Sequence, residues 1–83
     1  MTIINLGIME INGIRRYLEN MEVDTECRFS LYAHGYETTF YVQRAIDGYR
    51  EQNSLYGLQE GCYGVWFTDV ESMIEEIWSI LDK

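Results

Sequence analysis

The stretch CRFSLYAHGYETTFYV, residues 27–42, has the pattern of two strands around a tight turn. Apolar and polar residues alternate over 27–34, which is typical of a strand with one buried face. The sequence His34-Gly35-Tyr36 suits a turn, since glycine adopts positive φ without strain. The β-branched and aromatic residues 38–42 then predict the returning strand. This stretch therefore predicts a β-hairpin with Cys27, Phe29, Leu31 and Ala33 on its buried face.

Downstream of the hairpin the pattern is less regular. The run CYGVWF, residues 62–67, predicts a third strand. The stretch QRAIDGYREQN, residues 43–53, suits either a continued strand that turns at Asp47-Gly48 or a short helix, and we favour the strand. The polar and glycine-rich residues 53–61 predict a loop.

The C-terminal stretch TDVESMIEEIWSILDK, residues 68–83, predicts an amphipathic helix. Thr68 and Glu71 have the spacing of a capping box, in which each side chain accepts a hydrogen bond from the other residue's backbone N–H group. An apolar stripe recurs at helical spacing, with Trp78 beside it. The stripe comprises Val70, Met73, Ile74, Ile77 and Leu81.

The N-terminal segment allows two interpretations. Apolar residues recur at helical spacing from Ile4 to Met21, which favours one helix. Gly7 and Gly13 weaken a helix, and Asn12-Gly13 is also a turn signal. The alternative is an extended segment over residues 2–11, followed by a short helix that Asn12 caps and that runs through Asn20. We favour the single helix.

These elements predict one α+β domain over residues 1–83. It has an N-terminal helix, an antiparallel sheet of three or four strands, and a C-terminal amphipathic helix. No signal peptide or membrane-spanning stretch is recognisable, so we expect a cytoplasmic protein. Cys27 and Cys62 are then expected to be reduced and buried, although a disulfide between two strands is an alternative.

Charge gives the main indication of the partner. The formal net charge is −8, with a net of −3 in residues 1–26, −1 in residues 27–68 and −4 in residues 69–83. A negative field of this size repels nucleic acids and anionic membranes, and it attracts basic protein surfaces.

The sequence lacks a recognisable catalytic or metal-binding motif. His34 is the single histidine and lies at a predicted turn, and it forms no zinc-ligand spacing with Cys27 or Cys62. The abundant carboxylates lie on a face that is expected to be solvated. We therefore predict a protein that is not an enzyme and that uses no cofactor or metal.

The centre of the chain is rich in tyrosine. Tyr32, Tyr36 and Tyr41 are expected on the exposed face of the hairpin, with Tyr49, Tyr56 and Tyr63 nearby. Tyrosines and arginines are common anchors of protein interfaces, whereas base stacking normally requires basic charge as well. These rings form either a protein-binding surface or a simple cover for the sheet.

The acidic residues of the C-terminal helix are the predicted binding surface. Residues three or four apart on a helix have Cβ atoms about 5–6 Å apart, similar to the spacing of phosphates along a DNA strand. No lysine or arginine four residues away balances them. A solvated helix face is the simpler explanation. The predicted partner-binding residues are Glu71, Glu75, Glu76 and Asp82, with a second patch at Glu22, Asp24 and Glu26.

In overall character, and in its closing segment WFTDVESMIEEIW (residues 66–78), the chain resembles the small acidic inhibitors of phages and mobile elements, in particular anti-CRISPR proteins. The resemblance implies a stoichiometric inhibitor that binds a basic CRISPR effector, often by competing with DNA or RNA. Two alternatives remain open, an antitoxin or immunity-type protein with one cognate toxin, and a structural or regulatory homodimeric subunit.

Overall fold

A computed structural model describes residues 3–46 and 54–82 of the chain. The elements in chain order are β1 (Ile3–Ile8), α1 (Ile11–Glu19), β2 (Thr25–Ala33), β3 (Tyr36–Ile46), β4 (Ser54–Glu60), β5 (Tyr63–Phe67) and α2 (Val70–Leu81). The α+β class is therefore confirmed. Neither helix in these residues has the length and apolarity needed to cross a membrane.

The strands form one five-stranded mixed sheet in the order β1-β2-β3-β4-β5. β1 runs parallel to β2, while the other neighbours are antiparallel. A parallel pair needs a crossover connection, and α1 provides it. Buried residues of α1 and α2 join those of the sheet in a single core, so both helices cover the same sheet face. No helix of the described residues covers the other face, which is called the open face below.

The predicted hairpin is confirmed. Ala33 pairs with Tyr36 across a two-residue turn, and Phe29 pairs with Phe40 inside the core, with ring centroids 5.6 Å apart. His34 and Gly35 both have positive φ, at 54° and 81°. Two successive residues with positive φ match the right-handed twist of the strands, which is why glycine is needed here.

The predicted single N-terminal helix is wrong, and the extended alternative is closer to the structure. β1 precedes α1, which begins at Ile11 with Glu10 in the N-cap position instead of Asn12. Gly7 has a φ of 69° at a register shift in β1, and its N–H group donates to the side chain of Asn5. Pairing with β2 satisfies the backbone groups on one side of β1, a gain that helical periodicity alone does not reveal.

The predicted loop over residues 53–61 is also wrong, because most of it is β4. Tyr56 and Leu58 are buried, and Leu58 pairs with Val42 of β3. Gly57, which favoured a loop, lies between these two residues on the opposite face. β3 continues to Ile46, as the favoured strand interpretation predicted, and the proposed Asp47-Gly48 turn lies outside the described residues.

α2 is confirmed as an amphipathic helix, with all five residues of its predicted stripe buried. Its N-cap is Asp69 instead of Thr68. The Asp69 carboxylate accepts hydrogen bonds from the backbone N–H of Ser72 at 2.7 Å and from the Ser72 hydroxyl at 3.2 Å. These bonds lower the pKa of Asp69 below its ordinary value. The proposed capping box is therefore displaced by one residue, which places Glu71 in the first turn without a capping role.

The two cysteines occupy different environments. Cys27 is buried in the core, and its desolvation raises the pKa of the thiol to about 11. Cys62 is exposed at the turn between β4 and β5, which contradicts the prediction that it is buried. Both thiols are free, so the alternative of a disulfide is wrong.

Candidate functional site

The open sheet face carries exposed aromatic and apolar side chains. Successive side chains of each strand point alternately to the core and to this face. The open face therefore includes Tyr32 on β2, Tyr41 on β3 and Trp66 on β5. Ile3 and Ile8 of β1 are also exposed. Tyrosine and tryptophan are the residues that most often anchor protein interfaces, so this face is a candidate binding surface.

One row of residues crosses all five strands of this face. The register aligns Ile3, Glu26, Gln43, Gly57 and Trp66 as successive partners from β1 to β5. Neighbouring strands lie about 4.8 Å apart, so Glu26 and Gly57 are separated by about 10 Å. This order places an acid, an amide and an aromatic ring along one line.

The ring of Trp66 lies over Gly57. A Cβ atom built on Gly57 would lie only 3.0–3.2 Å from three atoms of the indole. Since glycine lacks this atom, the ring can pack against the backbone of β4. Trp66 nevertheless remains 54% exposed, so the rest of its surface is open to a ligand.

Beside the ring is a shallow hollow of about 640 Å³. Ile3, Glu26, Tyr41 and Gln43 line it together with Trp66, and Gln59 completes the polar part. Among the described residues, no hydrogen bond or ion pair engages the side chain of Glu26. The hollow thus combines flat aromatic surface with an uncompensated carboxylate.

The predicted acidic residues of α2 lie on its outer side, but several have partners within the chain. Arg15 of α1 forms an ion pair with Glu71. Asp82 lies 3.5 Å from the ring of His34, and Glu76 accepts a hydrogen bond of 3.2 Å from the hydroxyl of Tyr63. Partial desolvation of the Tyr63 hydroxyl and the bond to Glu76 raise the pKa of Tyr63. The sequence pattern missed these contacts because they join residues far apart in the chain.

Glu75 differs from the other three acids of α2. It is exposed, and the described part of the chain offers its side chain no hydrogen-bond or salt-bridge partner. It lies one helical turn after Glu71. Glu75 is therefore the least compensated of the four predicted residues on this helix.

The second predicted patch is divided by the fold. Glu22 and Asp24 lie in the connection between α1 and β2, where Asp24 has a φ of 65°. Glu26 lies on β2 and lines the hollow of the open face. These three residues therefore do not form one patch, because the strand alternation turns Glu26 toward the open face.

The tyrosines are also divided between surface and core. Tyr32 and Tyr41 lie on the open face, as the hairpin pattern predicted, and Tyr36 is exposed at the hairpin turn. Tyr56 is instead buried, with the guanidinium of Arg44 5.3 Å from its ring centroid. Tyr49 lies outside the described residues.

Charge is distributed unevenly between α2 and the open sheet face. Among the described residues, the hollows of the open face are lined by Glu26, Arg28, Glu37 and Glu60, a net of −2, while α2 with its two caps carries five acids and no base over residues 69–82. Among the described residues, no group of three or more potential metal ligands is close enough to hold an ion. Two surfaces therefore remain for function, the acidic outer side of α2 and the open sheet face.

Comparison with known proteins adds no family to this description. No protein-family model, curated protein or solved structure gives a significant match. The functional inference for this chain accordingly rests on its own residues and their geometry.

Proposed function

We propose that this chain is a stoichiometric, non-enzymatic inhibitor that binds a basic, nucleic-acid-handling protein. The observation that supports it best is the arrangement of α2, which buries its whole apolar stripe and leaves a row of acids on its outer side. Such a row attracts a protein surface rich in lysine and arginine.

The exposed carboxylates are not required by the core. Arg15 offsets Glu71, but Glu75 adds charge without a compensating contact in the described residues. Like charges four residues apart destabilise a helix slightly, and a net charge of −8 opposes compaction of a small domain. A binding role gives this uncompensated charge a function.

The proposed mechanism is competition with a nucleic acid. Grooves that bind DNA or RNA hold basic side chains at intervals that match successive phosphates. Carboxylates on successive turns of α2 offer anions at similar intervals on a rigid support. Because the sequence resembles anti-CRISPR proteins, the most specific form of the proposal is an anti-CRISPR protein whose partner is a CRISPR effector.

The proposal is tested by inhibition of purified effectors. A panel of CRISPR nucleases and multisubunit effector complexes is assayed for cleavage of a matched DNA target, with the chain added from substoichiometric to excess amounts. We expect one effector to be inhibited near a one-to-one ratio. The inhibition should weaken as ionic strength rises from 50 to 300 mM, because salt screens the long-range attraction.

Charge reversal then tests the surface. Glu75→Lys should reduce inhibition by about tenfold or more, since it replaces attraction with repulsion at one contact. Glu19→Lys changes the net charge equally but lies at the exposed end of α1, outside both the acidic row of α2 and the open sheet face, so it is the matched control. Equal effects of the two substitutions would refute the α2 surface, and no inhibition across the panel would refute the effector as partner.

An antitoxin or immunity protein would use the same acidic surface against a different basic partner. Coexpression of the chain with the toxin encoded beside it, where such a gene exists, measures this directly. The antitoxin alternative would be favoured if the chain rescued growth and Glu75→Lys abolished this rescue. It also requires that the chain inhibits no effector of the panel.

A further inference from the structure

The hollow on the open sheet face combines the groups that recognise an arginine side chain. A guanidinium is planar, stacks on aromatic rings, and forms paired hydrogen bonds with a carboxylate. The hollow presents the exposed indole of Trp66 and the carboxylate of Glu26 on the same transverse row. We propose that this hollow binds an arginine of the basic partner, a step that rests on the proposed function.

The dimensions of the row fit this ligand. The Trp66 ring lies over Gly57, about two strand spacings or 10 Å from the backbone of Glu26. Glu26 and Trp66 line the same hollow of about 640 Å³, with Gln43 between them on the row, and this volume is large enough for a guanidinium. An arginine stacked on the indole therefore reaches the carboxylate.

The walls of the hollow suit the rest of the side chain. Ile3 and Tyr41 provide apolar surface for the methylene stem. The Gln59 amide nitrogen donates to the carbonyl of Gly61 at 3.4 Å, so its oxygen is available to accept from a guanidinium N–H group. Gln43 supplies a second amide oxygen.

The described lining residues of this hollow and of its neighbour have the same net charge of −1, but only the neighbour already contains a cation. Glu26 is the one charged side chain among the described residues that line this hollow. The adjacent hollow on the same face contains Arg28 beside Glu37 and Glu60, so a positive charge is already present there. Lysine is a poorer ligand for the first hollow, because an ammonium cannot stack as a plane or pair in a bidentate manner.

The test uses the peptide acetyl-Ala-Gly-Arg-Gly-Ala-amide and two counterparts, with citrulline or lysine in place of arginine. Citrulline keeps the planar shape but removes the charge. Binding is followed at low ionic strength through the indole N–H resonance in a Trp78→Phe background, where Trp66 is the remaining tryptophan. We expect saturable binding of the arginine peptide, about fivefold or more weaker binding of citrulline, and an intermediate affinity for lysine.

Two variants of equal net charge locate the site. Glu26→Gln should weaken arginine binding about fivefold, whereas Glu37→Gln should change it less than twofold. Trp66→Leu, followed through the Gly57 amide resonance, should abolish saturation. Preserved dispersion of the core resonances shows that each variant is folded, and Trp66→Phe provides a second ring variant if the leucine variant unfolds.

Several outcomes would overturn the inference. These are equal binding of the citrulline peptide, equal effects of Glu26→Gln and Glu37→Gln, or the absence of saturable shifts. Resonances of the hollow that move with chain concentration in the absence of peptide would show that a second copy occupies this face. Effector inhibition that depends on Glu75 is measured separately, so the acidic helix and the hollow can fail independently.

Discussion

Gly57 shows how the absence of one atom shapes a surface. The indole of Trp66 occupies the space where a Cβ atom would project from β4. The ring thereby covers backbone that a glycine would leave exposed, while its outer side stays open to solvent. A residue that resembles a strand breaker in the sequence thus supports one of the exposed aromatic rings of the open sheet face.

Gly57→Ala should displace the indole without unfolding the chain. The new Cβ would contact the ring at 3.0–3.2 Å, so the exposed ring must move away. We expect a change in stability of less than about 1 kcal/mol, because alanine itself favours the strand more than glycine does. Tryptophan emission and the indole resonance in the Trp78→Phe background measure the displacement. Gly64→Ala is the control, since its nearest neighbour would lie 3.8 Å away, and a similar spectral change there would contradict the explanation.

Asp69 is expected to make stability depend on acid pH. Its hydrogen bonds with Ser72 lower the pKa of the carboxyl in the folded state. The stabilisation is therefore complete above the unfolded-state pKa of about 4, and it is lost as the pH falls through the lower folded-state value. Urea unfolding from pH 6 to pH 2 should show that the difference in stability between wild type and Asp69→Asn shrinks over this range. A stability difference that stayed constant over this pH range would contradict the lowered pKa of Asp69.

The position of the N-cap predicts which of two further variants has the lower Tm. Asp69→Ala should lower Tm by roughly 4–8 °C, the shift expected when a domain of this size loses one good cap. Thr68→Ala should lower it less, because the structure places Thr68 before the cap. The reverse order in thermal unfolding would support the capping box that the sequence pattern suggested.

At the scale of the elements, glycine has opposite effects on stability in β1 and in α1. Gly7 in β1 has a φ of 69°, whereas Gly13 lies within α1 on its exposed side. Left-handed backbone strains an L-residue, while a helix interior favours alanine over glycine. The two glycines that weakened a single N-terminal helix therefore belong to two different elements.

Substitution of these glycines should change stability in opposite directions. Gly7→Ala should destabilise the chain by about 1 kcal/mol through backbone strain. Gly13→Ala should stabilise it by about 0.5–1 kcal/mol, since the added Cβ would meet the Met9 side chain at an ordinary 3.6 Å. Urea unfolding measures both changes, and destabilisation by Gly13→Ala would contradict the assignment of that residue to an exposed helical site.

At the scale of the whole molecule, the fold separates two kinds of surface. The helices cover one face of the sheet and, with their cap residues, carry half of the chain's acids, while the other face has exposed aromatic rings and a smaller net charge. In the proposed function, the acids attract the basic partner over distance and the open face provides a specific contact. Each role should be weakened separately by a single substitution, the first by Glu75→Lys and the second by Glu26→Gln.

Thiol reactivity should report the integrity of the whole core. Cys62 is exposed and should react with a disulfide reagent within minutes at pH 8, whereas Cys27 is buried with a pKa of about 11. We expect Cys27 to react on the order of 10³-fold more slowly, because reaction requires opening of the core. A Cys62→Ser variant isolates this slow step, and its rate should rise steeply with urea. Rapid modification of Cys27 without denaturant would contradict its burial.

Part of this architecture was predictable because it depends on neighbours in sequence. A local hydrophobic period is present in the β2–β3 hairpin, in β5 and in the buried stripe of α2. Gly35 marks the turn of the hairpin, and acidic residues mark the N-terminus of α2. β1 and β4 were missed, since the stability of each comes from pairing with a strand elsewhere in the chain. Periodicity in a segment cannot reveal such a partner.

The candidate surfaces divide in the same way. The sequence by itself determined the net charge of −8, the acids opposite the α2 stripe and the alternation that exposes Tyr32 and Tyr41. Only the tertiary structure decided that Arg15 compensates Glu71 and that Trp66 lies over Gly57. It also decided that Glu26 lies on the open face and not beside the other acids of the predicted second patch. Contacts between distant residues depend on strand register and helix packing, whereas charge and alternation are properties of each segment alone.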